Sequence, residues 1–220
     1  MSYFIESKMN NTSKIAVIGG TGKAGRYIVK ELLSRGYHVK LLLRFPENLQ
    51  IEDPKIELLK GDARDVEAIR SLLDGCQAII SAVGQPKGED SIFSEASKHI
   101  VAAMTTYGIR RYVVLTGLNV NTSFDKKSEK VAIATEWMRA NYPKTTADKQ
   151  VEYESLRKSD IDWTLVRLPM IELTHERRGV KVSLEDCPGD GISATDLAHF
   201  VADQLIDDAF VGQAPFIASN

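Results

Sequence analysis

The sequence predicts an α/β fold: a doubly wound parallel sheet, covered by helices on both faces, in a single domain. Three observations carry this. Short apolar runs alternate with segments of helical periodicity through the first half of the chain. The runs KIAVI, VKLLL, AIISA and YVVLT lack polar alternation, as strands buried on both faces do. A length of 220 residues with 43% apolar content suffices for one buried core.

Lys14–Ile18 is predicted as the first strand. A helix is predicted over Ala24–Ser34, with Ile28, Leu32 and Leu33 on one face and Gly36 as its stop. Val39–Leu43 and Ile56–Leu59 are the second and third strands. Asp65–Leu73 reads as a helix capped by Asp65 and closed by Gly75. Ala78–Ala82 is the fourth strand, Ser91–Tyr107 a long helix closed by Gly108, and Tyr112–Thr116 the fifth strand. Val120–Lys130 is polar and reads as a loop. Lys130–Asn141 and Pro143–Lys158 are two helices, the second opened by Pro143. Ile161–Arg167 is the sixth strand. Beyond it, Arg177–Asp190 is polar around one short strand, GVKVSL. Thr195–Asp207 is a helix capped by Ser193 or Thr195, and Pro215–Ala218 a last strand. This C-terminal part is expected to form a small segment on the substrate side. Residues 1–13 lack an apolar stretch and read as a flexible N-terminal tail ahead of a domain spanning 14–220.

Charge narrows the function. With 28 basic and 30 acidic residues the net charge is −2, and no basic run exceeds two residues. There is no broad positive field for nucleic acid, so any basic residue that matters acts locally. No apolar run reaches 18 residues, so no membrane span is expected. Cys76 and Cys187 show no metal-ligand spacing, and a chain of this size needs no disulfide. A reducing, cytoplasmic setting and no metal site are expected.

The first strand runs directly into Gly19-Gly20-Thr21-Gly22-Lys23-Ala24-Gly25 and then a helix. Such a loop cradles a dinucleotide pyrophosphate. One glycine permits the tight turn, one lets backbone N–H groups approach the phosphates, and the last lets the helix pack closely. The helix N-terminus adds partial positive charge at the same place. At the end of the second strand an acid would bind the 2′-hydroxyl of NAD. Here the residue is Arg44, which suits a 2′-phosphate and favours NADP, with NAD still possible. Arg44 as a solvated surface arginine is the competing reading. Lys23 either adds to phosphate binding or is simply exposed.

GGTGKAGRYIVKELLSRGYHVKLLLR resembles the opening of the atypical short-chain dehydrogenase/reductases. The closer likeness is to the NAD(P)H-binding, NmrA-like branch that includes flavin and biliverdin reductase-like proteins. Gly61-Asp62, followed by Ala63-Arg64-Asp65, resembles the family's GD-x-x-D, which implies that Asp62, with Ala63 beside it, meets the adenine. Asp62 as a plain turn residue is the alternative. Ala82-Val83-Gly84 resembles the turn that passes the nicotinamide ribose. YVVLTGLNV, ADKQVEYESLRKSDIDWTLVRLP and GISATDLAHFVADQL resemble later landmarks, so the likeness spans about residues 14–218. It implies a Rossmann-like sheet. Asp196 is expected to brace the last helix.

Family members that move protons use Tyr-x-x-x-Lys on a helix, the lysine holding the ribose and lowering the tyrosine pKa. Lys149 matches the lysine, but the position four before it is Thr145. Tyr142 and Tyr153 lack the required spacing. Lys149 either holds the ribose or is an exposed helical lysine. After the fifth strand the chain has Thr116-Gly117, where reductase-like members often carry a side chain at the second position. Thr116 either orients substrate or ends the strand with a side-chain-to-backbone bond. Pro169 and Met170 are expected to wall the nicotinamide side. His99, Trp137 and Trp163 are expected to be structural, and His175 to lie in the C-terminal loop.

These readings combine into an NADPH-dependent oxidoreductase of flavin reductase-like type, passing hydride to a flavin, quinone or related small acceptor. From a different class, a non-catalytic NmrA-like protein would sense NADP(H) and bind a regulatory protein partner. A nucleotide-sugar epimerase or dehydratase is a third reading, opposed by Thr145. A monomer or homodimer is expected.

Overall fold

A computed structural model describes residues 12–86 and 88–220. In chain order the first half gives β1 (Lys14–Ile18), α1 (Gly25–Ser34), β2 (His38–Leu43), β3 (Ile56–Lys60), α2 (Val66–Leu73), β4 (Ala78–Ser81), α3 (Phe93–Tyr107) and β5 (Arg111–Gly117). The second half gives α4 (Glu129–Asn141), α5 (Pro143–Leu156), β6 (Asp162–Leu168), β7 (Met170–Glu172), β8 (Val180–Ser183), β9 (Gly191–Ser193), α6 (Ala194–Asp203) and β10 (Phe216–Ser219). Most of the expected tail lies outside the described residues. Within them, Ser13 is buried and its carbonyl accepts from the His38 N–H, so the ordered sheet edge starts before residue 14.

The main sheet has the order β3-β2-β1-β4-β5-β6-β10-β8. Every pairing in it is parallel except β10 with β8, which is antiparallel. This is a Rossmann-like doubly wound sheet. β1 lies between β2 and β4, with Ile15 opposite Val39 on one side and Ala78 on the other. The chain winds outward through β2 and β3, then restarts on the other side with β4. That reversal opens a crevice beyond the carboxyl ends of β1 and β4.

Alternation of side chains along β1 explains the two-sided core. Ile15 and Val17 join Ile28, Leu32, Leu197 and Val201 beneath α1 and α6. Ala16 and Ile18 join Ile69, Leu72, Ile100 and Leu156 beneath α2, α3 and α5. The central strands β1 and β4 are buried almost throughout because neither of their faces meets water, whereas the edge strands β3 and β8 are partly exposed. Gly108, in the left-handed region at φ 67°, closes α3 with its N–H on the Met104 carbonyl.

The structure corrects several boundaries. α3 begins at Phe93 rather than Ser91, with Ile92 as its N-cap residue and Asp148 of α5 accepting from the Phe93 N–H. Ser193 caps α6 by accepting from the Thr195 N–H, and the helix ends at Asp203. Among the described residues β7 and β9, each of three residues, pair only with one another. Such short strands carry no readable periodicity. Pro169 separates β7 from β6, since proline has no N–H for the ladder. The expected C-terminal substrate-side segment is largely absorbed by the fold: β8 and β10 complete the main sheet, leaving β7, β9 and their loops apart. Among the described residues, no helix is long and apolar enough to cross a membrane.

Candidate functional site

The glycine loop is built by close backbone approach. Gly19 sits at φ +78°, and a Cβ there would meet the Ala82 carbonyl oxygen at 2.4 Å. A Cβ on Gly25 would lie 2.0 Å from the Gly19 carbonyl oxygen. The first turn of α1 is thereby pressed against the end of β1, and β1's turn against the end of β4. The Gly22 N–H donates to the Gly19 carbonyl at 3.0 Å, closing the turn. Ala24 and Gly25 are buried supports of this loop, and Lys23 is exposed.

A cavity of about 300 Å³ opens at this point. Gly19, Thr21 and Gly22 line it from the loop, Arg44, Phe45 and Asn48 from the segment after β2, Asp62 and Ala63 from the segment after β3, and Ala82, Val83 and Gly84 from the segment after β4. The expected residues from four strand ends therefore meet around one space. Gly20, Lys23, Ala24 and Gly25 do not line it. Gly20 and Thr21 instead face an adjoining hollow of about 210 Å³ with Arg26 and Lys30.

Asp62 makes the turn bond and also lines the cavity. Its Oδ1 accepts from the Arg64 N–H at 2.9 Å. Arg44 is part of an ion network. Its Nη1 is 2.7 Å from Glu89 Oε1 and 4.0 Å from Asp62 Oδ2, and its guanidinium lies 5.6 Å from the Phe45 ring centre.

Of the remaining expected residues, Thr116 lies on β5 and Lys149 on α5. Thr116 is buried, and its hydroxyl has no hydrogen-bond partner. The side-chain-to-backbone bond that would make it a plain strand terminator is therefore not formed. The space that a Gly117 side chain would fill is taken by Asn119, whose Oδ1 lies 2.5 Å from the ideal Cβ position. Asn119 is itself buried, donates to Thr146 Oγ1 at 3.0 Å, and leaves Oδ1 without a partner. A buried polar atom without a partner is costly and marks a place for a ligand or solvent group.

Lys149 is not an exposed helical lysine. Its Nζ lies 4.7 Å from the Phe93 ring centre. Burial pushes its amine below the usual lysine range, opposed by the charges of Glu152 and Asp148. Asp148 accepts from Ser91 Oγ at 2.5 Å and from the Phe93 N–H at 2.8 Å, so it holds the start of α3 against α5. Glu152 is buried, accepts from Ser97, and burial pushes its carboxyl up to about 8. Ser97 also bonds Tyr112 at 3.0 Å. Thr145 Oγ1 donates to Gln85 Oε1 at 3.3 Å, toward the connection after β4.

Pro169 is half-buried between β6 and β7, whereas Met170 is 75% exposed, and neither lines the main cavity. At the start of β7, Met170 is turned outward. His175 stacks 5.2 Å from the Tyr27 ring. Trp163 packs edge-on against Tyr153, but Trp137 is 56% exposed and meets only the exposed Tyr142 ring among the aromatic contacts. Asp196 accepts from the Arg178 and Gly179 N–H groups and from Ser219, bracing α6 as expected.

Sequence reasoning missed Arg64, Gln85, Glu89, Asn119, Asp148 and Glu152. Only Glu152 had a local signal, three residues after Lys149 on one helix. The others reach the site through the tertiary fold.

These residues fit a dinucleotide. The glycine turn, where a Cβ on Gly19 or Gly25 would strike backbone, borders the cavity at the strand ends, and the buried Thr116 hydroxyl has no partner. The chain is 26% identical over 201 residues to cinnamoyl-CoA reductase 1 of Oryza sativa, covering 84% of this chain and 55% of that protein. It is 24% identical over 227 residues to divinyl chlorophyllide a 8-vinyl-reductase of Arabidopsis thaliana, covering 90% of this chain and 51% of that one. The chain thus spans about half the length of these relatives. Its fold matches a short-chain dehydrogenase/reductase from Veillonella parvula solved in complex with NADP, with a TM-score of 0.76 at 15% identity over 94% of each chain. The family model described as NAD(P)H-binding matches residues 19–208, and the chain belongs to that NAD(P)H-binding family.

Proposed function

We propose that the protein is an NADPH-dependent reductase that passes hydride to a flavin, a quinone or a related small acceptor. One observation carries the reading. The cavity at the ends of four strands contains Arg44, and the chain keeps Lys149 and Thr116 but has Thr145 where proton-transferring relatives have tyrosine. The reductases among the relatives support it.

A bound nicotinamide supplies the hydride. The chain's own residues bind and orient. Backbone N–H groups of the glycine loop and the start of α1 suit the pyrophosphate. Arg44 suits a 2′-phosphate, hence NADP over NAD. Lys149 holds the ribose, and the Thr116 hydroxyl orients the acceptor. A threonine hydroxyl at 145 does not ionise near neutrality, so acceptors that take their proton from solvent are favoured. Positioning of two rings then does most of the catalysis.

The test is NADPH oxidation followed with FMN, riboflavin and quinones, with Lys149→Met as control. Turnover with one of these acceptors, cut at least about tenfold in the variant, is expected. Tight NADPH binding with no turnover on any acceptor would favour a second reading, a regulatory protein that senses NADP(H). Thr145 is the residue that motivates that alternative.

A further inference from the structure

Two arginines, one of them Arg44 of the cavity lining, converge on one carboxylate. Arg44 Nη1 is 2.7 Å from Glu89 Oε1, and Arg64 Nη1 is 3.0 Å from Glu89 Oε2. The arginines come from different strand ends, Arg44 from β2 and Arg64 from the turn after β3. Glu89 comes from the connection between β4 and α3. Its backbone is held there by Gln85, whose amide donates to the Glu89 carbonyl at 3.0 Å, while Arg64 Nη2 donates to the Asp90 carbonyl at 3.0 Å. Asp62 faces the same pair, 4.0 Å from Arg44 and 3.4 Å from Arg64. The arginines hold the Glu89 carboxyl below its ordinary range.

A single carboxylate bridging two guanidinium groups stands where a doubly charged anion would be held better. Exposed ion pairs contribute little to stability, and Glu89 is 41% exposed, so its side chain can be exchanged at small cost. A phosphomonoester carries more charge and three acceptor oxygens, enough to satisfy two arginines at once. Resting on the assignment of an NADP-type dinucleotide to this cavity, we propose that Arg44 and Arg64 together bind the 2′-phosphate and that Glu89 is a resident anion the phosphate displaces. Arg64 is then a second specificity-determining residue. Glu89 is a built-in competitor that weakens NADP binding and leaves NAD, which has no 2′-phosphate, unaffected.

The experiment measures dissociation constants for NADP⁺, NAD⁺, 2′,5′-ADP and 5′-ADP in the wild type, Glu89→Gln and Arg64→Gln, by titration calorimetry. Both substitutions are at the surface, and equal thermal midpoints check that each variant folds. Glu89→Gln is expected to bind NADP⁺ and 2′,5′-ADP about three- to tenfold more tightly, with NAD⁺ and 5′-ADP unchanged. Arg64→Gln is expected to weaken only the two 2′-phosphorylated ligands, by about tenfold or more. Weaker NADP⁺ binding by Glu89→Gln, or an unchanged NADP⁺/NAD⁺ ratio in Arg64→Gln, overturns the proposal alone. A wild type that binds 2′,5′-ADP no better than 5′-ADP overturns the nucleotide reading beneath it, and the proposal with it.

Discussion

A Cβ on Gly25 would sit 2.0 Å from a backbone oxygen, a contact that no side-chain rotation can relieve. Gly25→Ala is therefore expected to destabilise the protein by about 1–3 kcal/mol, as overpacking does. It should also weaken NAD(P)H binding, because the glycine turn must shift to make room. Denaturant unfolding and nucleotide titration check both effects; an alanine variant with unchanged stability and affinity would contradict the cradle. Glu152 makes a different prediction. Its folded pKa, about 8, lies above the ordinary 4.5, so the folded chain holds a proton that the unfolded chain releases in between. Stability from this group is full below pH 4.5 and is lost as pH rises toward about 8. Glu152→Gln should remove that part of the slope. Thermal midpoints measured across the window decide it, and an unaltered slope counts against a protonated Glu152.

Between elements, the contact of α3 with α5 is set by polar groups as much as by packing. Asp148 lies on α5 yet serves the opening turn of α3, where N–H groups have no partner within their own helix. Asp148→Ala is expected to cost about 1–2 kcal/mol, the worth of a helix cap, in urea unfolding. A loss below about 0.5 kcal/mol would place the docking of α3 in its apolar contacts instead. The same docking seats Phe93 beneath Lys149 and so sets the burial that lowers the lysine's pKa.

For the whole molecule, the order in which the strands are laid down matters most. Placing β1 between β2 and β4 brings the ends of four strands around one cavity. A ligand that bridges these ends binds only the folded chain, so it raises stability by mass action, about 2.7 kcal/mol at a hundred times its dissociation constant. NADPH is expected to raise the thermal midpoint, and more than NADH does at equal concentration. Equal shifts would remove the argument from Arg44 to NADP.

The sequence by itself determined the parallel sheet, most helix limits and the glycine cradle. These rest on local facts: apolar runs without alternation, helical spacing, and glycines where no Cβ fits. Arg44, Asp62, Thr116 and Lys149 were legible because each lies at or just after a strand end or sits at a fixed spacing on a helix. Tertiary structure decided the rest. It put Asn119 in the space beside Gly117, left the Thr116 hydroxyl without a partner, turned Met170 outward, and folded β8 and β10 into the main sheet. It also brought Glu89 between Arg44 and Arg64, 45 and 25 residues away along the chain. Such meetings depend on how loops close over a finished sheet, and neither periodicity nor spacing along the chain encodes that closure.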